Sequence, residues 1–320
     1  MPLCIRAIAT ATVLMAMPTH GASELALDTY LIAGATVANR QPDGNSTIID
    51  APAGLIIFDT GRHETHTRLL LEFARTRHRP IAAVINSHWH LDHVGGNLLL
   101  RAQYPDLRVY ASNAIAAART GYLADYRRGL LKAIAKSAKN PDEQQSMRKE
   151  VALIDAVPLL GPTEVIEESG EREIAGRPLQ IHLESHAVTA GDVWIYDPAT
   201  RILLAGDLVT LPAPFFETAC PERWRQALAG LASTPFEQLV PGHGPPMRRK
   251  EFDVYQHAFS HLLSCATGRP KKIECIDGWI ADAAVLIPSR DVSYARVLID
   301  YYLEYFLRDP PERVQAFCRI

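Results

Sequence analysis

The strongest constraint on this chain is a hexapeptide. The apolar run IAAVIN, which reads as a buried strand, ends in NSHWHLDHVGGN, so that His88, His90, Asp92 and His93 crowd the loop beyond the strand. Loops at strand ends are where α/β sheets usually place ligand sites. Imidazole nitrogen and carboxylate oxygen are donors suited to zinc and related ions. His88 and His90 alternate along the chain, so an extended backbone aims both at one ion. Asp92 and His93 begin a turn and face a second. Gly95 and Gly96 let the chain turn tightly beside the cluster.

The surrounding pattern sets the fold class. LDTYLIAGATVANR and NSTIIDAPAGLIIFDTG contain short β-rich runs separated by Pro, Asp, Gly and Asn, as in a strand meander. HTRLLLEFARTRH then carries apolar residues at helical spacing, giving β, α, β order up to the histidine run. Residues from about 112 to 153 read as a helical insertion with Arg and Lys on one face and Leu, Ile and Ala on another. Either it roofs the site or it is an amphipathic helix packed on the sheet. Strands resume in EVIEES, REIAG, LQIHLE, DVWIYDP and RILLAGD, and beyond His243 the segments EFDVYQHAFSHLLSC and YARVLIDYYLEYFLRD read as helices closing the fold. Two sheets with helices outside fit this order best. The 320 residues allow one large domain or two modest ones. With no Pro- or Ser-rich linker, the expectation is an α/β chain with a single catalytic domain over 24–320.

HxHxDH followed by Gly-Gly-Asn resembles the signature of the metallo-β-lactamase superfamily, and the resemblance extends from about residue 55 to 245. Asp59 in IIFDTG resembles the early Asp motif of that family. His186, Gly191 and Asp192 in ESHAVTAGDVWIYDP resemble its third metal-binding segment, Asp207 in LLAGDLV its bridging carboxylate, and His243 in VPGHG its last histidine. The resemblance implies a four-layer αββα sandwich. It also implies two Zn2+ ions per chain, one held by His88, His90 and His186, the other by Asp92, His93 and His243, with Asp207 bridging. Two such cations lower the pKa of a shared water toward neutrality, polarise the substrate carbonyl and stabilise the developing oxyanion. Besides ligating, Asp92 can orient the water and return a proton to the leaving group. Asp59 and Asp192 are candidates to accept a hydrogen bond from a ligating histidine, or else serve as turn or cap residues. Phe215 and Phe216, in LPAPFFETACPERW, line a pocket or pack in the core.

The same metal core serves many esters and amides, so substrate is read less directly. Aspartate at position 207, where β-lactamase subclasses have cysteine or serine, points to a carboxylic ester, thioester or lactone. A β-lactam is the alternative, and a di-iron redox protein of the same fold is a third reading, since the N/O ligands also accept iron. A formal charge of -3 gives no overall attraction for nucleic acid or anionic lipid, which leaves a small-molecule substrate.

The first 23 residues read as a secretory signal peptide: Arg6, the apolar AIATATVLMAM, then the small residues of HGAS. The apolar run is shorter than the ~20 residues of a membrane span. Export to the periplasm or beyond is therefore expected. Removing the leader removes Cys4 and leaves Cys220, Cys265, Cys275 and Cys318, an even number suited to an oxidising compartment. Cys265 and Cys275 bracket the turn-like ATGRPKKIE, which leaves Cys220 for Cys318. No CxxC spacing suggests a zinc–thiolate cluster.

Overall fold

The computed structural model describes residues 21–35, 41–136 and 141–319. Residues 1–20, which hold most of the expected leader and Cys4, lie outside the described residues. The chain opens with a meander, β1 (Ala22–Ala26), β2 (Thr29–Ile32), β3 (Ser46–Ala51) and β4 (Gly54–Phe58). Helix α1 (Glu64–Thr76) crosses over to β5 (Ile81–Ile85), and the short helices α2 (Leu91–Val94) and α3 (Asn97–Gln103) lead to β6 (Arg108–Ala111). The insertion forms α4 (Ala114–Thr120), α5 (Tyr122–Lys136) and α6 (Pro141–Asp155), before β7 (Glu164–Val165) closes a seven-stranded sheet in sequence order. Its first half is antiparallel. From β4 onward neighbouring strands are parallel.

The second sheet contains β8 (Gly170–Ile174), β9 (Arg177–Glu184), β10 (Asp192–Asp197) and β11 (Ile202–Thr210). Helix α7 (Pro221–Ser233) then connects to β12 (Gln238–His243) and β13 (Met247–Arg248). Strand order is β13-β12-β11-β10-β9-β8, with β11 and β12 parallel. Four helices end the chain: α8 (Arg249–Gly268), α9 (Lys272–Asp282), α10 (Val292–Tyr302) and α11 (Glu312–Cys318). Sequence periodicity predicts α8 and α10 but not α9 and α11.

Burial follows from the two periodicities. Ile49, Phe58 and Ile85 of the first sheet meet Ile181, Ile195 and Leu204 of the second in an apolar layer between the sheets. The opposite face of the first sheet, through Ile48, Ile57 and Val84, packs on Leu70, Phe73 and Leu100 of α1 and α3. The outer face of the second sheet, including Trp194 and Leu203, packs on α7, α8 and the later helices. The result is the expected αββα order of layers. The insertion buries Ile115, Leu123 and Ile154 against Trp89, Leu91 and Val94, directly over the histidine run.

Both sheets present the C-terminal ends of parallel strand pairs to the same edge. Phe58 is level with Ile85, so the chain leaves β4 and β5 side by side, and Thr210 is level with His243 across β11 and β12. Backbone bonds tie the two sheets together there, from Asn45 N–H to Gly242 O at 2.8 Å and from Val193 N–H to Ser87 O at 2.6 Å. Gly242 is needed for this closeness. A Cβ there would stand 2.0 Å from Asp207 Oδ1. Two disulfides join Cys220 to Cys318 and Cys265 to Cys275, the pairing expected from spacing.

Candidate metal centre

Each histidine of the run is fixed through one ring nitrogen, which decides what the other can do. Asp59, at φ 61°, directs its carboxylate into the gap between β4 and β5. It accepts hydrogen bonds from Ser87 N–H and Ser87 Oγ, both at 2.7 Å, and from His93 Nδ1 at 2.8 Å. That leaves His93 Nε2 facing inward. Because Ser87 Oγ gives its proton to Asp59, it accepts from His88 Nδ1 at 2.8 Å, leaving His88 Nε2 free to ligate. On the far side, Thr218 Oγ1 donates to Val188 O at 3.0 Å and so accepts from His90 Nε2 at 2.9 Å, which turns His90 Nδ1 inward. Hydrogen bonds of this kind fix the tautomer of a ligating histidine.

The inward atoms converge. His88, His90 and Asp207 offer donor atoms within 4.8 Å of one another, and Asp92, His93 and His243 do the same. Asp207 lies between the groups: its Oδ2 is 3.7 Å from His88 Nε2, while its Oδ1 is 3.3 Å from His93 Nε2 and 3.6 Å from His243 Nε2. Asp92 Oδ2 approaches His243 Nε2 to 3.0 Å. His88 Nε2, His93 Nε2 and Asp207 Oδ1 are buried without a hydrogen-bond partner. Buried polar atoms are rarely left so. Three of them aimed at a common space, among imidazoles and carboxylates, fit a pair of divalent ions.

The two groups differ electrostatically. In the first, burial pushes His88 well below the usual imidazole range, with His93 and His90 adding to the effect, and burial holds His90 at about 4. Both are neutral at physiological pH. In the second, burial opposes the charged ring, but the carboxylates of Asp207, Asp59 and Asp92 outweigh it and hold His93 well above its ordinary value. His243 is raised against the same burial penalty by Asp207 and by its hydrogen bond with Asp92. Burial alone would raise Asp92 and Asp207, yet His93 and His243 keep both carboxylates ionised.

His186 is not brought into either group. The resemblance placed it with His88 and His90; instead its ring packs 4.7 Å from that of Phe317 on α11. The cause is local. His186 adopts φ 61°, and the loop beyond it is organised by Asp192, which accepts bonds from Val188 N–H at 2.9 Å, Thr189 N–H at 3.0 Å and Thr189 Oγ1 at 2.8 Å. Asp192 therefore acts as the cap of this loop and not as partner of a ligating histidine. Burial pushes its carboxyl up to about 7 despite those bonds. Asp59, by contrast, does hold a histidine of the cluster.

Above the centre is a cavity of about 400 Å³. Trp89, Tyr122, Leu298, Tyr302 and Phe215 form apolar and aromatic walls, with Phe215 packed edge-on to His90 at 5.2 Å between ring centroids. Phe216 faces the other way, into the core against Trp224, Phe259 and Tyr302, the core-packing alternative of the two the sequence left open. Arg62 also lines the cavity. Its guanidinium bonds Asp92 Oδ1 at 3.3 Å and pairs with Glu150 of α6. Sequence reasoning missed Arg62, Glu150 and Thr218. Ser87 alone carried a signal, being adjacent to His88.

The Lactamase_B family model, described as "Metallo-beta-lactamase superfamily", matches residues 40–246. The chain belongs to the metallo-β-lactamase superfamily. Among curated proteins, it is 26% identical over 223 residues to the linear primary-alkylsulfatase of Pseudomonas sp. (strain ATCC 19151), a match covering 64% of this chain and 42% of that protein. It is 27% identical over 180 residues to an (R)-specific secondary-alkylsulfatase of Pseudomonas sp., covering 51% of this chain and 27% of that one. The chain thus spans less than half the length of these curated relatives. Among solved structures, a double mutant of the sec-alkyl sulfatase PisA1 superposes with a TM-score of 0.63 at 18% identity, over 92% of this chain and 53% of that one. A metallo-β-lactamase from Pontibacter korlensis superposes with a TM-score of 0.55 at 20% identity, over 75% and 96% respectively. At such identities the likeness is one of fold.

Proposed function

We propose that this superfamily member is a zinc-dependent hydrolase that cleaves an ester of a small, partly apolar molecule. One observation carries the reading: two groups of three donors, sharing the carboxylate of Asp207 between them, at the floor of a cavity with aromatic walls. When bound there, two divalent ions supply Lewis-acid polarisation and a water of lowered pKa. His88, His90 and Asp207 would hold one ion and Asp92, His93 and His243 the other.

The remaining work falls to the chain. Asp59, Ser87 and Thr218 present ring nitrogens in the ligating tautomer. Arg62 grips Asp92 Oδ1 and leaves Oδ2 directed at the centre, where it can accept a proton from the attacking water and pass it to the leaving oxygen. Phe215, Trp89 and Tyr302 exclude water from the bond being cleaved.

The curated relatives are named as alkylsulfatases, which supports sulfate esters as the first class to test, ahead of the carboxylic esters, thioesters and lactones that aspartate at 207 suggested. Export to the periplasm or beyond belongs to the same proposal, supported by two disulfides. Among the described residues no helix is long and apolar enough to cross a membrane. The test is a panel of alkyl sulfates, carboxylic esters, thioesters, lactones and β-lactams, assayed before and after chelation. Hydrolysis of an ester that is lost with chelator and restored by zinc supports the proposal; no turnover of any ester by zinc-replete protein refutes it.

A further inference from the structure

Beside the metal cavity lies a second one, of about 320 Å³. Three elements enclose it: α4 through Ala114 and Ala117, the loop after β9 through Thr189 and Ala190, and α11 through Val314 and Phe317. Small side chains on α4 leave the space open. The wall opposite is fastened by the Cys220–Cys318 disulfide, which ties the end of α11 to the residue preceding α7. At the exposed outer side Arg313 lies over the Tyr122 ring, 5.6 Å from its centroid.

The two cavities share a wall made by Trp89, Tyr122 and Glu217. Trp89 stands between His88 and His90 in the chain, so the inner end of the second cavity is one side chain from the metal centre. The wall is held by side-chain hydrogen bonds: Tyr122 Oη donates to Glu217 Oε2 at 2.8 Å, and Tyr301 Oη to Glu217 Oε1 at 3.3 Å. These bonds join three elements at Glu217, and a phenol ring can turn without moving backbone. Each cavity by itself lies at the lower end of the roughly 300–1,000 Å³ of ordinary ligand sites.

We infer that the second cavity receives the apolar portion of a substrate whose ester group lies at the metal centre, and that Tyr122 and Glu217 are the partition across which that portion passes. The inference rests on the ester-hydrolase proposal. It makes chain length the property that the partition and α4 select.

Two variants push the selection in opposite directions. Ala117 is exposed on its helix, so Ala117→Trp fills the second cavity without entering the core, whereas Tyr122→Ala removes the partition. The readouts are kcat/KM for linear esters of four to twelve carbons, and calorimetric binding of butylphosphonate and decylphosphonate, which cannot be hydrolysed, to the zinc-loaded enzyme. Ala117→Trp is expected to weaken decylphosphonate binding and long-chain turnover at least ~10-fold while short-chain values hold, since each misplaced methylene costs on that order. Tyr122→Ala is expected to favour long chains over short relative to the parent. Equal effects on short and long chains in both variants, an unchanged profile, or a parent that fails to bind decylphosphonate would overturn the inference. A parent that hydrolyses no ester refutes the proposed function alone, and the phosphonate comparison still decides the cavity.

Discussion

At the scale of single residues, the centre is governed by which nitrogen each histidine has free. Asp59 bonds His93 and Ser87 together, so Asp59→Ala removes the partner that orients one ligand directly and a second through Ser87 Oγ. Loss of such a partner costs roughly 10–100-fold in metal affinity or activity. Zinc titration of the variant against a chromophoric competitor measures it. The contrast in imidazole charge makes a separate prediction. His88 and His90 are neutral in the metal-free protein at pH 7, so an ion entering their group displaces no proton from them. His93 is held well above the ordinary imidazole range and His243 is raised in the same direction by Asp207 and Asp92, so an ion entering their group has protons to displace. Calorimetry in buffers of different ionisation enthalpy should therefore find one binding event that is buffer-independent and one that releases protons and tightens as pH rises. The stability of the metal-free fold also rises with pH for the first group. Because the folded pKa of His90 lies at about 4, below the ordinary 6.5, its contribution is present above pH ~6.5 and is lost as pH falls toward 4.

Residue by residue, what could be read in the sequence was what is contiguous or chemically unusual. His88, His90, Asp92 and His93 announce themselves because donors so dense at the end of an apolar strand have few other uses. Asp207 and His243 were legible only through the segments LLAGDLV and VPGHG, which resemble superfamily motifs; Gly242 in the second clears the space that Asp207 occupies. His186 lies outside both groups, where a left-handed backbone torsion and the cap made by Asp192 decide where its ring points, and neither leaves a pattern in the order of residues. Thr218 lies 128 positions from His90, and a lone threonine in a loop carries no signal of that contact.

At the scale of elements, the strands and the long helices followed from periodicity, whereas α9 and α11 did not. Helix α11 is seven residues long, too short for a pattern, and is held by a covalent bond instead of a broad apolar face. The two disulfides close loops of very different length, with sequence separations of 98 and 10. In the chain-entropy picture the longer loop stabilises more, by about 2 kcal/mol for this ratio. Denaturant unfolding of Cys220→Ser/Cys318→Ser against Cys265→Ser/Cys275→Ser should show that difference; equal losses would place the contribution in native-state contacts. The insertion is anchored by Leu123, buried beneath it and also lining the metal cavity. Leu123→Ala should cost about 2–5 kcal/mol, seen as a lower denaturation midpoint, with activity falling as the roof loosens.

At the scale of the whole molecule, two sheets bring the ends of their parallel strand pairs to a common edge, and every donor of the centre sits at or just beyond that edge. His88, His90, Asp92 and His93 follow β5, while Asp207 and His243 belong to β11 and β12. Neither sheet alone supplies a complete group of three, since the first group needs Asp207 and the second needs His243. Folding and metal binding are therefore coupled, and ions bound across the inter-sheet gap should raise the unfolding midpoint in proportion to the logarithm of their free concentration. The most direct test of the account is anomalous diffraction from crystals grown with zinc. It predicts two peaks, one among His88, His90 and Asp207 and one among Asp92, His93 and His243, with Asp207 between them. A single peak, or ions bound elsewhere while these six side chains keep their places, would contradict it.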